Sequence, residues 1–348
     1  MGERRNATAL RLAAAPRNGA NGRYRALLPL RELERRGHTV LWPGDRTYRE
    51  LEAGGVPQGW DALYVQQMHD ELALEVMARL RRAGVAVVWD TDDDLSAVRR
   101  GSEAYHRLGG RRMIRRHFKR AIQAARTAHV MTTTSERLAQ VYGEAGADCV
   151  HVIENYLAPQ DVVVRRRRHQ GIVIGITAAG EHEPDLRKMR FGATLDRLLE
   201  RREGIRVVAI GADLRLMSSH RYRWVRDVEI TELIAHESEF DIGLAPLLDT
   251  AFNRARSNVK LKEYAAAGAA WLASPIGPYR GMGEEQGGLL VEKDGWLEAL
   301  EVLVDDDGRR RALAERGRTW VAGQTIRAGG ARWQAAFREA VTRARDGG

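Results

Sequence analysis

The stretch FDIGLAPLLDTAFNRARSNVKLKEYAAAGAAWLASPIGPYRG, Phe240 to Gly281, decides the fold class. It reads as a short buried strand (Ile242–Ala245), a polar loop, a helix, a second buried strand (Ala270–Ala273) and a Pro/Gly turn, the repeating unit of a parallel sheet. Ser257 or Asn258 is a natural N-cap for that helix. Its free N–H groups and positive end would then face a ligand, with Arg256 and Lys260 adding charge suited to a diphosphate. Lys260 and Glu263 stand three apart and share a helix face. A carboxylate there can accept two hydrogen bonds from a ribose diol, or the two side chains can form a plain surface ion pair.

Outward from this stretch the same alternation fills the chain. Strands are expected at Ala9–Ala14, Thr39–Trp42, Ala62–Gln66, Val85–Asp90, His129–Thr132 and Cys149–Ile153, then at Ile172–Ile176, Arg206–Ile210 and Leu289–Val291, with helical periodicity between them. The polar, basic run from Pro159 to Gln170 reads as a linker. The expected organisation is α/β: two Rossmann-like doubly wound domains, residues 1–160 and 161–325, and a terminal helix over 326–348. In that helix Trp333, Phe337, Ala340 and Ala344 form one apolar face that must pack on something, such as the domains behind it.

Composition bounds the alternatives. With 348 residues and 44% apolar content the chain can bury two cores, and one cysteine, Cys149, excludes a disulfide framework or a thiolate zinc cluster within it. A reducing, cytoplasmic setting is expected. The charge of +9 comes from 51 Arg against 5 Lys, a chain-wide arginine bias rather than one phosphate-binding patch. The start, MGERRNATALRLAAAP, has its apolar run broken by Arg11 and carries Asn6 where a myristoylation signal wants Ser or Thr, so no targeting segment is expected. The longest apolar stretch, Tyr264 to Ala273, is about half of what a membrane-spanning helix needs.

Loops that follow strands carry the remaining candidates, because open parallel sheets bind ligands beyond the carboxyl ends of their strands. After the first strand, Gly19, Asn21 and Gly22 form a turn that opens a helix bearing Arg25. That turn is either a ligand loop or a plain tight turn, and it lacks the dinucleotide fingerprint. The fourth strand runs into Asp90, Asp92, Asp93 and Asp94, a cluster suited to a cation, a sugar hydroxyl or an arginine, or to an N-cap. In GITAAGEHEPDL, Gly175 and Gly180 have the spacing of a phosphate loop, but Glu181 and His182 stand where Lys and Ser or Thr are required. A polar loop around Thr177 and His182, facing a ligand, is the preferred reading. In GGRRMIRRHFKRAIQAARTA, Arg111, Arg112, Arg115, Arg116, Lys119 and Arg120 form basic rows opposite an apolar face. They are a solvated surface or a contact for an anionic membrane or nucleic acid.

Taken in order, the Gly19 to Arg25 loop, DTDDDL, TTTSERL, VIENYL and SNVKLKEYAAAGAAWLASPIGPYRG resemble the retaining glycosyltransferases of family 4. That resemblance implies the GT-B fold, two Rossmann-like domains with parallel sheets facing across a cleft. It implies a hexosyltransferase that moves a sugar from a nucleoside-diphosphate sugar to an unidentified acceptor with retention. The acceptor (glycan, lipid, protein or nucleic acid) would be read by the amino-terminal domain, through Gly19, Asn21, Gly22 and Arg25. The donor would be held by Gly175, Thr177, Ser257, Asn258 and Glu263, with His182, Arg256, Lys260, Asp92 and Asp93 as catalytic candidates. Glu263 would take the ribose. Many members carry a further glutamate eight residues earlier, where this chain has Ala255. No cofactor is required on this reading. The Asp90–Asp94 run also resembles the DxD element of the metal-dependent GT-A fold, so the need for a divalent metal stays open and no metal ligands are assigned. A nucleotide-sugar epimerase of the same architecture is one alternative. A basic nucleic-acid-binding protein or a DNA-modifying transferase is the other. The setting is cytoplasmic, or peripheral to a membrane through the basic helix.

Overall fold

A computed structural model of the chain describes residues 9–44, 55 and 59–347. Asn6 and the rest of residues 1–8 lie outside the described residues. The chain divides into two compact units, Met1–Asp92 with Arg116–Ile153 and Gly329–Gly348, and Asp93–Arg115 with Glu154–Ala328. The first holds strands β1 (Arg11–Ala15), β2 (Thr39–Leu41), β3 (Ala62–Gln66), β4 (Ala86–Asp90), β5 (Val130–Thr133) and β6 (Val150–Val152) in the order β2-β1-β3-β4-β5-β6. The second holds β7 (Ile172–Ala178), β8 (Ile205–Gly211), β9 (Tyr222–Val225), β10 (Ile242–Ala245), β11 (Ala270–Ala273) and β12 (Gly288–Leu290) in the order β12-β11-β10-β7-β8-β9. Among the described residues every strand pair is parallel. Both sheets are of the expected α/β, doubly wound kind, and each strand order reverses once, at β1/β3 and at β7/β10, where such sheets open a ligand crevice. The expected strands form with ends within two residues; β9, an edge strand with Arg223 and Trp224 exposed, was not anticipated.

In the first unit the segment after β1 is helical from Gly19 through a wider π turn at Arg23–Leu27 to the helix Leu28–Arg35. Gly22 is required by packing, since a Cβ there would lie 1.8 Å from the Arg17 carbonyl oxygen. The π turn carries Arg25 inward. Its side chain is 0% exposed, and its Nη2 lies 2.6 Å from Asp90 Oδ2, an oxygen that also accepts from Thr132 Oγ1 at 2.7 Å. Arg25 Nη1 donates to the Ile153 carbonyl, and the guanidinium stacks 4.8 Å from the Trp333 ring centroid. One expectation is corrected here: Arg25 is a buried structural cation rather than an acceptor ligand. Of the partners open to the Asp90–Asp94 run, Asp90 takes an arginine, inside the core. The apolar face of the terminal helix Ile326–Arg345 buries Trp333 and Phe337, both beside Tyr64 of β3.

The second unit is buried on both sides of its sheet. Ile174 and Ile176 pack with Leu195, Val207 and Leu244 on one side, while Val173 joins Phe240, Leu261, Tyr264 and Trp271 on the other. Gly175 and Gly243 are register partners on β7 and β10. A Cβ on Gly175 would lie 2.1 Å from the Phe240 ring, and one on Gly243 would lie 2.4 Å from the Tyr264 ring. The paired glycines thus leave a flat seat for two aromatic rings. Gly175 is therefore a packing glycine in mid-strand, which corrects its assignment to a donor-binding loop.

Removing one partner of a buried ion pair strands the other, so Arg25→Leu should destabilise the protein by about 3–5 kcal/mol in urea denaturation. Arg31→Ala, which breaks an exposed pair with Glu34, should be nearly neutral. Equal effects of the two substitutions would contradict the role given to Arg25.

Candidate functional site

A pocket opens where β7 and β10 part, lined by Thr177 and Ala178 at the end of β7, Ala245 at the end of β10, Pro246 after it, and side chains of the following loops. Tyr264 holds the two strand ends together: its hydroxyl donates to the Leu244 carbonyl at 2.9 Å and accepts from the Thr177 N–H at 3.0 Å. The pocket brings together Thr177, His182, Arg256, Ser257 and Lys260 of the residues singled out in the sequence. Asp92 and Asp93 do not line it.

The helix below the pocket spans Val259–Ala267 and ends at Gly268, whose φ of 81° suits a glycine C-cap. Its N-cap is Asn258, yet no side chain accepts a hydrogen bond at this helix start, and Asn258 Oδ1 is buried without a partner. Ser257 instead accepts from Asn155 Nδ2 at 3.2 Å. The capping expected from Ser257 or Asn258 is thus absent, and the first-turn N–H groups keep the partial positive charge of an uncapped helix end.

Lys260 is the less exposed of the two permanent cations that line the pocket. Its Nζ lies 2.7 Å from Glu263 Oε2, and Glu263 is only 2% exposed, so the pair is an interior one and not a surface bridge. A second carboxylate, Glu237, faces the same lysine from the helix Leu233–Glu237 and is fully buried. Glu237 Oε1 accepts from Thr177 Oγ1 at 2.6 Å, while its Oε2 has no partner. Burial, and then repulsion from Glu263, push its pKa up to about 8 against the lowering pull of Lys260 and Thr177. Burial would lower the Lys260 pKa, but Glu263 and Glu237 outweigh it and raise it, so the ammonium persists. The His182 pKa falls well below its ordinary value, through burial first and then the charges of Arg256 and Lys260, leaving a neutral imidazole at pH 7. Arg256 lies 3.5 Å from Glu181 Oε2. This set can accept an anion at its mouth and donate neutral hydrogen bonds beside it. Glu237 escaped the sequence reading because LIAHE carries no signal beyond an ordinary short helix.

The other candidates sit elsewhere. Gly19 adopts a φ of 78° at the end of the β1 loop, and Asn21 is half-buried in the turn that follows. Asp92 Oδ1 accepts from Gln67 Nε2 at 2.5 Å, and Gln67 itself holds a φ of 54° just after β3. Asp94 is buried and caps the turn by accepting from Ser96 N–H at 2.9 Å. Among the described residues, the ligand atoms of Cys149, His151 and Glu339 converge within 4.8 Å of one another, but Arg343 Nε already lies 3.4 Å from Glu339 Oε1. In the helix Gly110–Thr127, Arg111, Arg112, Arg115, Arg116 and Lys119 are exposed and Arg120 is half-buried. Arg116 and Arg120 both reach Glu71. Among the described residues no helix is long and apolar enough to cross a membrane.

No family model matches the chain, and no curated protein matches it. Solved structures do. Sucrose-phosphate synthase from Thermosynechococcus elongatus aligns at a TM-score of 0.68 and 13% identity, over 95% of this chain and 98% of that one. Anabaena HepE in complex with UDP and glucose aligns at 0.65 and 12% over 94% and 99%. A glycosyltransferase from Rickettsia africae aligns at 0.63 and 12% over 96% and 99%. The fold of this chain is therefore the GT-B fold of those proteins.

The raised Glu237 pKa has a testable sign. Between its ordinary value of 4.5 and about 8 the folded protein holds a proton that the unfolded chain has shed, so this group's contribution to stability is lost as pH rises through that window. Glu237→Gln keeps the bond to Thr177 and removes the titration. Denaturation midpoints from pH 5 to 8.5 should therefore fall less steeply for the variant than for the parent protein; parallel profiles would contradict the assignment.

Proposed function

We propose that the chain is a nucleotide-sugar-dependent glycosyltransferase, a hexosyltransferase acting with retention, whose donor site is the pocket between β7 and β10. The observation that carries this reading is the uncapped start of the helix Val259–Ala267 meeting Arg256 and Lys260 at the point where the strand order reverses. When a nucleoside diphosphate leaves a sugar, negative charge grows on the diphosphate while positive charge develops on the ring. Fixed donors and cations aimed at the diphosphate stabilise that change without reorganising. Arg256, Lys260 and the N–H groups after Ser257 take this role, with His182 as a neutral hydrogen-bonding group near the sugar. As Lys260 turns to the diphosphate, Glu263 is freed to accept from the ribose hydroxyls. The HepE structures hold UDP and UDP-glucose, which makes uridine sugars the first donors to try. Acceptor recognition falls to the first unit, around Gly19, Asn21 and Gly22, and the exposed basic row on the helix Gly110–Thr127 fits a peripheral contact with an anionic surface.

A ligand that binds only the folded state raises the melting temperature, so UDP-, GDP- and ADP-glucose compared in a thermal scan identify the nucleotide. For the stabilising nucleotide, Arg256→Ala should weaken binding about tenfold by calorimetry, the loss of one charge-assisted contact, with the unliganded melting temperature unchanged. Undiminished affinity would contradict the donor site. Release of an epimerised nucleotide sugar in the absence of any acceptor would assign the chain to the epimerases instead.

A further inference from the structure

A second cavity of the same unit lies at the opposite ends of its strands. Its wall includes Gly171, just before β7, Asp241, just before β10, and Gly268, which ends the helix Val259–Ala267. β7 has seven residues, so this cavity and the donor pocket are roughly 20 Å apart along the strand. The two also sit at the two ends of one buried helix. The volume is about 690 Å³.

The lining is cationic beyond the arginine bias of the chain. Arg166, Arg167, Arg168, Arg310, Arg311 and Arg318 face three carboxylates, those of Asp241, Asp307 and Glu315. Asp307 is shared by Arg310 and Arg311, at 2.6 and 2.8 Å, and Asp241 pairs with Arg166 at 2.7 Å. Among the described residues, Arg167, Arg168 and Arg318 have no carboxylate partner. Arg318 donates only to the Val164 carbonyl, at 3.3 Å. Two further polar atoms of the wall, Arg166 Nε and His169 Nδ1, are sequestered from solvent without a hydrogen-bond partner. Guanidinium groups gathered in a concave wall reinforce one another's field, and an anion relieves their repulsion.

We infer that this cavity binds a small, multiply phosphorylated anion, at a site separate from the donor pocket. The spread of charge sets the ligand class. Arg311 and Arg318 stand seven residues apart on the helix Asp307–Ala322, two turns or roughly 10 Å along one face, and Arg167 and Arg168 approach from the segment before β7. The more separate cations the anion can meet, the more phosphates it must carry, and a chain of phosphates offers a charge to each group. A concave, open-mouthed cavity favours a compact ligand over a nucleic acid duplex, which is bound along an extended surface.

Inorganic tripolyphosphate titrated into the full chain at low salt tests this by calorimetry. A saturable site is expected, besides any occupancy of the donor pocket, that is weakened at least about tenfold by the combined Arg167→Ala, Arg168→Ala and Arg318→Ala substitutions and little changed by Arg256→Ala. Arg318→Ala alone, on an exposed stretch of helix, should lower the affinity about threefold, which keeps the test valid should the triple variant melt early. Absence of saturable binding overturns the inference. So does binding lost on Arg256→Ala but retained by the arginine variants, since the anion would then occupy the donor pocket. Tighter binding of a duplex DNA 20-mer, lost in the same variants, would replace the small anion with a nucleic acid.

Discussion

Lys260 is held between two buried carboxylates, Glu263 at 2.7 Å and the more distant Glu237, and the candidate site is organised around that arrangement. Three ionisable groups in a dry interior cannot all carry charge cheaply. Here the Lys260 ammonium persists, bonded to Glu263, while burial and repulsion push the Glu237 pKa up to about 8, so that carboxyl keeps its proton at pH 7. An incoming anion meets a partly exposed Lys260 side chain and competes with Glu263 for its ammonium. Arg256 and the uncapped helix start extend the positive field outward, and a neutral His182 adds hydrogen bonding without further charge.

The sheet makes that placement available. In an open parallel sheet the crossover helices lie on both faces, and where the strand order reverses the chain leaves adjacent strands in opposite directions, opening a crevice. Here the strands beside the crevice are β7 and β10, and Gly243 leaves room for the Tyr264 ring against β10 as Gly175 does for the Phe240 ring against β7. With its hydroxyl bonded to both strand ends, Tyr264 fixes the helix that carries Lys260 and Glu263 against the strands that carry Thr177 and Ala245. Packing and site geometry are therefore one construction.

Much of this was legible in the sequence because buried parallel strands are short, continuous apolar runs bounded by turns, a signal that needs no tertiary knowledge. β9 was missed for the complementary reason: YRWV is a half-exposed edge strand with no apolar run. The helix-start residues could be singled out because two N-cap types, three cations and a carboxylate fall within eight positions, Arg256 to Glu263. Long-range partners could not. Arg25 reads as a ligand-facing cation until Asp90, 65 residues away, is seen to hold it in the core. Glu237 becomes a site residue only when its helix packs beside Lys260, and Gly175 becomes a packing glycine only when the Phe240 ring is placed over it.

The account stands or falls on where a sugar nucleotide comes to rest. A crystal structure of the protein with UDP-glucose tests this most directly. Diphosphate oxygens about 3 Å from the backbone N–H groups at Asn258–Lys260, with the ribose against Glu263, are the result the account predicts. Nucleotide density away from this helix start, or a helix start covered by protein in the complex, would contradict it.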